Sequence, residues 1–226
     1  MPLLMCDLDD TLVERAPLFR TWAEGFLDEH VPDQVTPDLV DWLVEQDRGG
    51  FRPREEFIAA VVQRIGSDAP VEELAAEHDR ALSESYRLTP GVRSALDEVR
   101  SAGWSFAVVT NGPEFRQRPK IVAAGLDELA DAVCISGEVG EPKPAAVMFE
   151  QAAERAGTTL DGAWMIGDNL DADIAGAHGV GARSVWVKQH SEWLTFESGT
   201  EPDLVAEDFP DAVRQVLAAT SDYVVE

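Results

Sequence analysis

The chain reads as an α/β fold with a parallel sheet, interrupted near its start by an all-helical insertion. Three observations point there. From Thr89 onward, short apolar runs alternate with helical stretches, the pattern of parallel strands joined by helical crossovers. Between Glu14 and Leu88, apolar residues recur at helical spacing with no convincing strand. The polar clusters follow directly on apolar runs, and the carboxyl ends of parallel strands are where ligand sites form.

Taken in order, Leu3-Leu4-Met5 is a short strand that runs into Cys6-Asp7-Leu8-Asp9-Asp10. In the insertion, 14–88, four apolar stripes fall at helical spacing. They are Leu18, Trp22, Phe26 and Leu27; Leu39, Trp42 and Leu43; Phe57, Ile58, Val61, Val62 and Ile65; and Leu74, Ala75, His78, Leu82 and Tyr86. Pro32, Gly49-Gly50 with Pro53, and Gly66 to Pro70 separate them. Residues 1–13 and 89–226 then form the sheet-bearing core. Thr89 is placed to cap a helix over 91–102, with Pro90 in its first turn. Strands are expected at 104–109, 132–135, 163–166, 184–187 and 203–205. Helices are expected at 114–124, 145–156, from Asp173 to about His178, and 209–219, and Ser136 to Pro144 is expected to be a loop. Trp193 is expected to pack against the core.

The bulk properties narrow the partners. A chain of 226 residues suits one domain with a modest insertion. A net charge of −25 argues against a nucleic-acid polymer or an anionic membrane as partner. No apolar run approaches the ~20 residues of a membrane span. No basic-then-apolar leader opens the chain, and Cys6 and Cys134 lie in apolar runs as free buried thiols would, so a cytoplasmic location is expected. There are 15 arginines but only three lysines, Lys120, Lys143 and Lys188.

Four segments carry candidate chemistry. Asp7 and Asp9 project to the same side of an extended chain, so one can attack while the other handles a proton. Clustered carboxylates repel one another and persist with a cation or a task. Thr110-Asn111-Gly112 offers a hydroxyl, an amide and backbone N–H groups to phosphoryl oxygens. Lys143 is held between Pro142 and Pro144, which restrict where its ammonium can go. Asp168 ends a strand within Gly167-Asp168-Asn169-Leu170-Asp171-Ala172-Asp173. A few carboxylates plus substrate oxygens and water suit Mg²⁺. Each segment alone also reads as a cap, a turn or a surface lysine; four in succession at strand ends read as one site.

In this order the segments resemble the haloacid dehalogenase superfamily of hydrolases. Asp7-Leu8-Asp9-Asp10-Thr11-Leu12, Thr110-Asn111, Lys143 and Gly167-Asp168 with Asp173 match its four motifs over about residues 3–188. The resemblance implies a Rossmann-like core with a helical cap inserted after the first motif. It implies Asp7 as nucleophile and Asp9 as acid and base. It assigns Mg²⁺ to Asp7, the main-chain carbonyl of Asp9, and Asp168. Thr110, Asn111 and Lys143 would bind the phosphoryl group, with Asp173 supporting them. Cys6 stands where a bulky apolar residue is usual before the nucleophile. The second acid, Asp9, argues against carbon–halogen cleavage, and the absence of lysine from 14–88 argues against phosphonate cleavage. Gln117 and Lys120 after Thr110-Asn111-Gly112 are similar to a branch acting on nucleotides and sugar-acid phosphates. The expected function is a Mg²⁺-dependent phosphatase acting on a small phosphorylated metabolite, of nucleotide or sugar phosphate type. A phosphosugar mutase or a non-catalytic regulator on the same fold are the alternatives.

Overall fold

Short apolar runs, too brief for helices, form six strands: β1 (Leu3–Cys6), β2 (Ser105–Thr110), β3 (Ala132–Ile135), β4 (Trp164–Gly167), β5 (Arg183–Val187) and β6 (Leu204–Ala206). A computed structural model describes residues 1–188, 197 and 199–221. Trp193 lies outside them. The strands pair in parallel in the order β3-β2-β1-β4-β5-β6. Every residue of β1, β2 and β4 is buried, as expected of strands covered on both faces. The expected α/β class with a parallel sheet is what the chain adopts. Strand order reverses at β1 and β4, and the crevice beyond that switch point is where doubly wound sheets bind ligands.

Crossover helices are α5 (Pro90–Ser101), α6 (Glu114–Ala123), α7 (Leu126–Leu129), α8 (Ser136–Val139), α9 (Ala146–Arg155), α10 (Ala175–Gly179) and α11 (Phe209–Ser221). Thr89 caps α5 as expected, its hydroxyl accepting from the Val92 N–H at 3.2 Å. Met148, Phe149, Ala152 and Ala153 of α9 pack with Leu3, Met5, Ala107, Val109 and Cys134. Burying a side chain such as Phe149 stabilises by about 1.5–3 kcal/mol. Both cysteines are free and buried. Two short helices, α7 and α8, were not visible in the sequence; α8 occupies the start of the expected loop after β3. Four residues are too few to display a helical period. Among the described residues, no helix is long and apolar enough to cross a membrane.

The chain divides into two compact units, Met1–Val13 with Arg87–Glu226, and Glu14–Tyr86. The second unit contains the α-helices α1 (Arg15–His30), α2 (Pro37–Asp47), α3 (Arg54–Ile65) and α4 (Val71–Ser85), joined by loops and tight helical turns. Three of its stripes bury most of their expected residues. The first is rotated: Phe19, Ala23, Phe26 and Leu27 are buried with Arg15, whereas Leu18 and Trp22 are half-buried. Arg15 hides that face in the sequence, because its guanidinium is buried by a two-bond pair with Asp47 (2.6 and 3.0 Å). Arg54 joins Asp47 (3.3 Å) to Asp79 (3.0 Å).

His78 lies beside this network, fully buried against the rings of Phe19, Trp22 and Phe57, with Nδ1 at 3.2 Å from Asp79. Burial holds its pKa down to about 4 against an ordinary 6.5, although Asp79 pulls upward. A histidine depressed in the folded state binds fewer protons there than when unfolded. Stability therefore falls as pH drops from about 6.5 towards 4. In His78→Asn, whose amide retains a donor, about 2 kcal/mol of stability loss between pH 7 and pH 5 should disappear. Urea unfolding of both proteins at the two pH values measures the difference.

Candidate active site

The site is built beyond the carboxyl ends of β1, β2 and β4. Asp7 is the first residue past β1, and its N–H still donates to the Ile166 carbonyl of β4 at 3.0 Å. The chain then turns tightly: the Asp10 N–H donates to Val13 O (2.8 Å), and the Leu12 and Val13 N–H groups both donate to Leu8 O (3.1 Å). Asp10 takes a left-handed conformation (φ 58°), which Asp tolerates better than most residues.

Lys143 is the electrostatic centre. Its Nζ lies 2.6 Å from Asp7 Oδ1 and 2.6 Å from Asp173 Oδ1, and donates to the Val109 carbonyl at 2.6 Å. Burial alone would lower its pKa, but Asp173 and Asp7 outweigh that and hold it above the ordinary lysine range. The Asn111 side chain pins this lysine: its Oδ1 accepts from the Lys143 N–H (2.8 Å) and its Nδ2 donates to the Lys143 carbonyl (3.0 Å). The side chain of Asn111 thus faces the lysine backbone. Thr110, at the end of β2, accepts from Gln117 Nε2 at 2.7 Å, which leaves its O–H to donate to a phosphoryl oxygen.

Asp7, Asp168 and Asp173 each place a carboxylate oxygen within 4.8 Å of the others. Asp173 has both oxygens engaged, Oδ1 with Lys143 and Oδ2 accepting from the Asn169 N–H at 3.1 Å. It fits against Gly167 so closely that a Cβ there would come within 2.2 Å of Asp173 Oδ2, so only glycine serves at that position. Burial pushes the Asp7 carboxyl up to about 7; Lys143 pulls it down and Asp173 pushes it up. Burial, then Asp7, Asp173 and Asp10, drive Asp168 well above the usual carboxylate range. One ammonium among three closely spaced carboxylates, two of them buried, leaves the cluster short of positive charge. Such hard oxygen donors suit a divalent cation.

One consequence can be measured by melting. Asp168 is raised in the folded state, so stability falls as pH rises above the ordinary carboxylate range. Asp168→Asn should melt higher than the native chain at pH 8 in the presence of a chelator. It should also lose the upward shift that Mg²⁺ gives the native chain. A ligand at a hundred times its Kd adds about 2.7 kcal/mol.

Asp9 is held elsewhere. Lys120 Nζ donates to both of its oxygens (2.9 and 2.8 Å), and Gln117 Nε2 donates to Oδ2 at 3.1 Å. The structure thus brings together Asp7, Lys143, Asp168 and Asp173, sets Asn111 on the lysine loop, and links Thr110 to Asp9 through Gln117. The sequence reading took Gln117 and Lys120 as marks of a branch and gave them no place in the site. Their separation of three, on a helix directly after a strand-end cluster, was the available signal.

The family model for haloacid dehalogenase-like hydrolases matches residues 4–187. The chain belongs to that family. Among curated members, the phosphoserine phosphatase of Thermus thermophilus is 32% identical over 83% of this chain and 88% of its own length. The glyceraldehyde 3-phosphate phosphatase of Pyrococcus furiosus is 32% identical over 94% of this chain and 91% of its own. A magnesium-bound HAD-hydrolase from Bacillus subtilis superposes with a TM-score of 0.75 at 21% identity, covering 95% of this chain and 98% of that one. That likeness is one of fold. Within the haloacid dehalogenase-like fold, what this chain presents is a buried carboxylate against an ammonium, a second carboxylate on its own donors, and a hydroxyl at the next strand end.

Proposed function

We propose that the chain is a phosphatase that hydrolyses a small-molecule phosphate monoester with Mg²⁺, through an aspartyl-phosphate on Asp7. The observation that carries this reading is Lys143 Nζ at 2.6 Å from Asp7 Oδ1 in a buried cluster that also contains Asp168. Curated relatives named as phosphatases support it. Phosphoryl transfer needs placement and charge stabilisation more than covalent assistance, and these residues supply both.

In the first half, an Asp7 carboxylate oxygen attacks phosphorus and the bond to the leaving oxygen breaks. The carboxyl of Asp9 gives that oxygen its proton. In the second half, the Asp9 carboxylate takes a proton from water. The resulting hydroxide attacks phosphorus, the bond to Asp7 breaks, and inorganic phosphate leaves. Lys143 offsets the phosphoryl charge from beside Asp7, Asn111 holds Lys143 in place, and Thr110 donates its hydroxyl. Asp7, Asp168 and the main-chain carbonyl of Asp9 would hold the metal, with Asp173 orienting Lys143. When bound, Mg²⁺ supplies the positive charge that the cluster lacks and orients the phosphoryl oxygens.

A panel of phosphoserine, glyceraldehyde 3-phosphate, nucleoside monophosphates and sugar phosphates tests the reading. Inorganic phosphate should be released from at least one class, and chelation should stop it. Release from none, or an isomerised phosphosugar without free phosphate, would overturn it.

A further inference from the structure

The contacts of Asp9 were not required by the reaction just described. Three donor contacts converge on its two carboxylate oxygens, and all three come from one face of α6. Lys120 and Gln117 are three residues apart, so they lie one above the other on that helix. The Lys120 side chain is only 12% exposed, so its ammonium is a sheltered partner rather than a surface one. Gln117 is buried, and its amide bridges two groups of the site, Asp9 Oδ2 at 3.1 Å and Thr110 Oγ1 at 2.7 Å.

Room for the glutamine is made at Gly112. A Cβ there would approach Gln117 Cγ to 3.0 Å, and the backbone φ of 144° also disfavours a side chain. The turn after β2 and the face of α6 therefore fit each other with little slack. Two of the chain's three lysines thus sit on aspartates of one site, Lys143 on Asp7 and Asp173 and Lys120 on Asp9. Lysine suits the Asp9 position because a compact ammonium with three donors can span both oxygens of one carboxylate.

An ionised carboxylate accepts such bonds and donates none. Donors on both oxygens therefore fix where the Asp9 carboxylate points. We propose that Lys120 and Gln117 are positioning residues that hold the Asp9 carboxylate in place to activate the water that hydrolyses the aspartyl-phosphate. This rests on the proposed role of Asp9 as acid and base. It assigns α6 to the second half of the reaction, and it separates Lys120 from Lys143, which serves the phosphoryl group itself.

The separation has a kinetic signature. A defect confined to the second half lowers kcat and KM together and leaves kcat/KM unchanged, since kcat/KM reports only the steps through loss of the alcohol. p-Nitrophenyl phosphate is the suitable probe, because its leaving group departs without a proton. With Lys120→Met, kcat should fall about 100-fold, while kcat/KM stays within about threefold. Mixing enzyme with substrate should release a burst of one nitrophenolate per active site. Lys120→Arg, which keeps the charge, should recover at least about tenfold of the lost kcat. Lys120→Gln gives the same comparison if the methionine variant does not fold.

A parallel fall of kcat and kcat/KM would make Lys120 a phosphate-binding or merely structural group, and the proposal would fail. An unchanged kcat would also end it. Asp9→Asn in the same experiment tests the underlying role. A burst without turnover upholds the acid and base assignment, and then a native-like Lys120→Met defeats only the positioning proposal. Native turnover by Asp9→Asn would defeat both.

Discussion

Asp7→Asn should lose more than about a thousand-fold in kcat on every phosphate monoester while remaining folded. The amide is nearly isosteric but cannot attack phosphorus, and the other residues of the cluster do not replace it. The stability effect runs the opposite way. The Asp7 carboxyl sits at about 7 in the folded chain against an ordinary 3.8, because burial disfavours its ionised form. The folded state therefore takes up protons that the unfolded state has lost, and stability declines as pH rises from about 4 to 7. Above pH 7 the full penalty applies, on the order of a few kcal/mol for a shift of this size. Without added metal, Asp7→Asn should melt no lower than the native chain at pH 8, and its advantage should shrink towards pH 4. Steady-state kinetics and melting curves at pH 5 and pH 8 test both halves. A variant that melts well below the native chain at pH 8 would contradict the electrostatic account even if activity vanished.

Lys143→Met should fail in both respects. It removes the ammonium that Asp7 and Asp173 share at 2.6 Å and the donor to the Val109 carbonyl. Removing one partner of a buried pair typically destabilises by about 3–5 kcal/mol, because the remaining charge stays buried. In a chain of this size that is a drop of roughly 10 °C in Tm. Phosphoryl binding loses its nearest cation, so kcat/KM should fall by about two to three orders of magnitude. The native lysine has a folded pKa above its unfolded one, so its contribution is complete below about 10.4 and is lost above it. In the variant the unscreened carboxylates retain protons more strongly, so the deficit should be smaller at pH 5 than at pH 8. Mg²⁺ should restore part of the melting temperature, since it supplies charge to the same carboxylates.

Much of this was legible in the sequence because periodicity and strand-end placement are local properties. The alternation after Thr89 placed five strands, and Leu3-Leu4-Met5 the first, to within one residue or so at their ends, and the Thr89 cap was visible in three letters. Buried charge defeated the same reading. Arg15 looks like a solvent residue until Asp47 is brought to it from 32 positions away, so the first helical face was placed one residue off. In the site, the residue types were readable but the partners were not. Asn111 reads as a phosphate ligand, yet its amide closes on the backbone of Lys143, 32 residues on. Lys120 reads only as part of a branch pattern after Thr110-Asn111-Gly112, yet it meets Asp9 across 111 residues. Contacts of this kind depend on the register of the sheet and the pitch of α6, which no local pattern encodes.

The engagement of Lys143 and Lys120 also bears on how the protein can be handled chemically. Of its three lysines, Lys143 is buried, Lys120 is sheltered by Asp9, and Lys188 alone is exposed. An amine must reach the reagent to acylate, and at the first two positions burial and the aspartate contacts shield it. Brief treatment with an amine-reactive ester near neutral pH should therefore mark Lys188 and the amino terminus. A fluorophore or a surface linkage can then be attached away from the site, with the Asp7 and Asp9 carboxylates and their partners left unmodified.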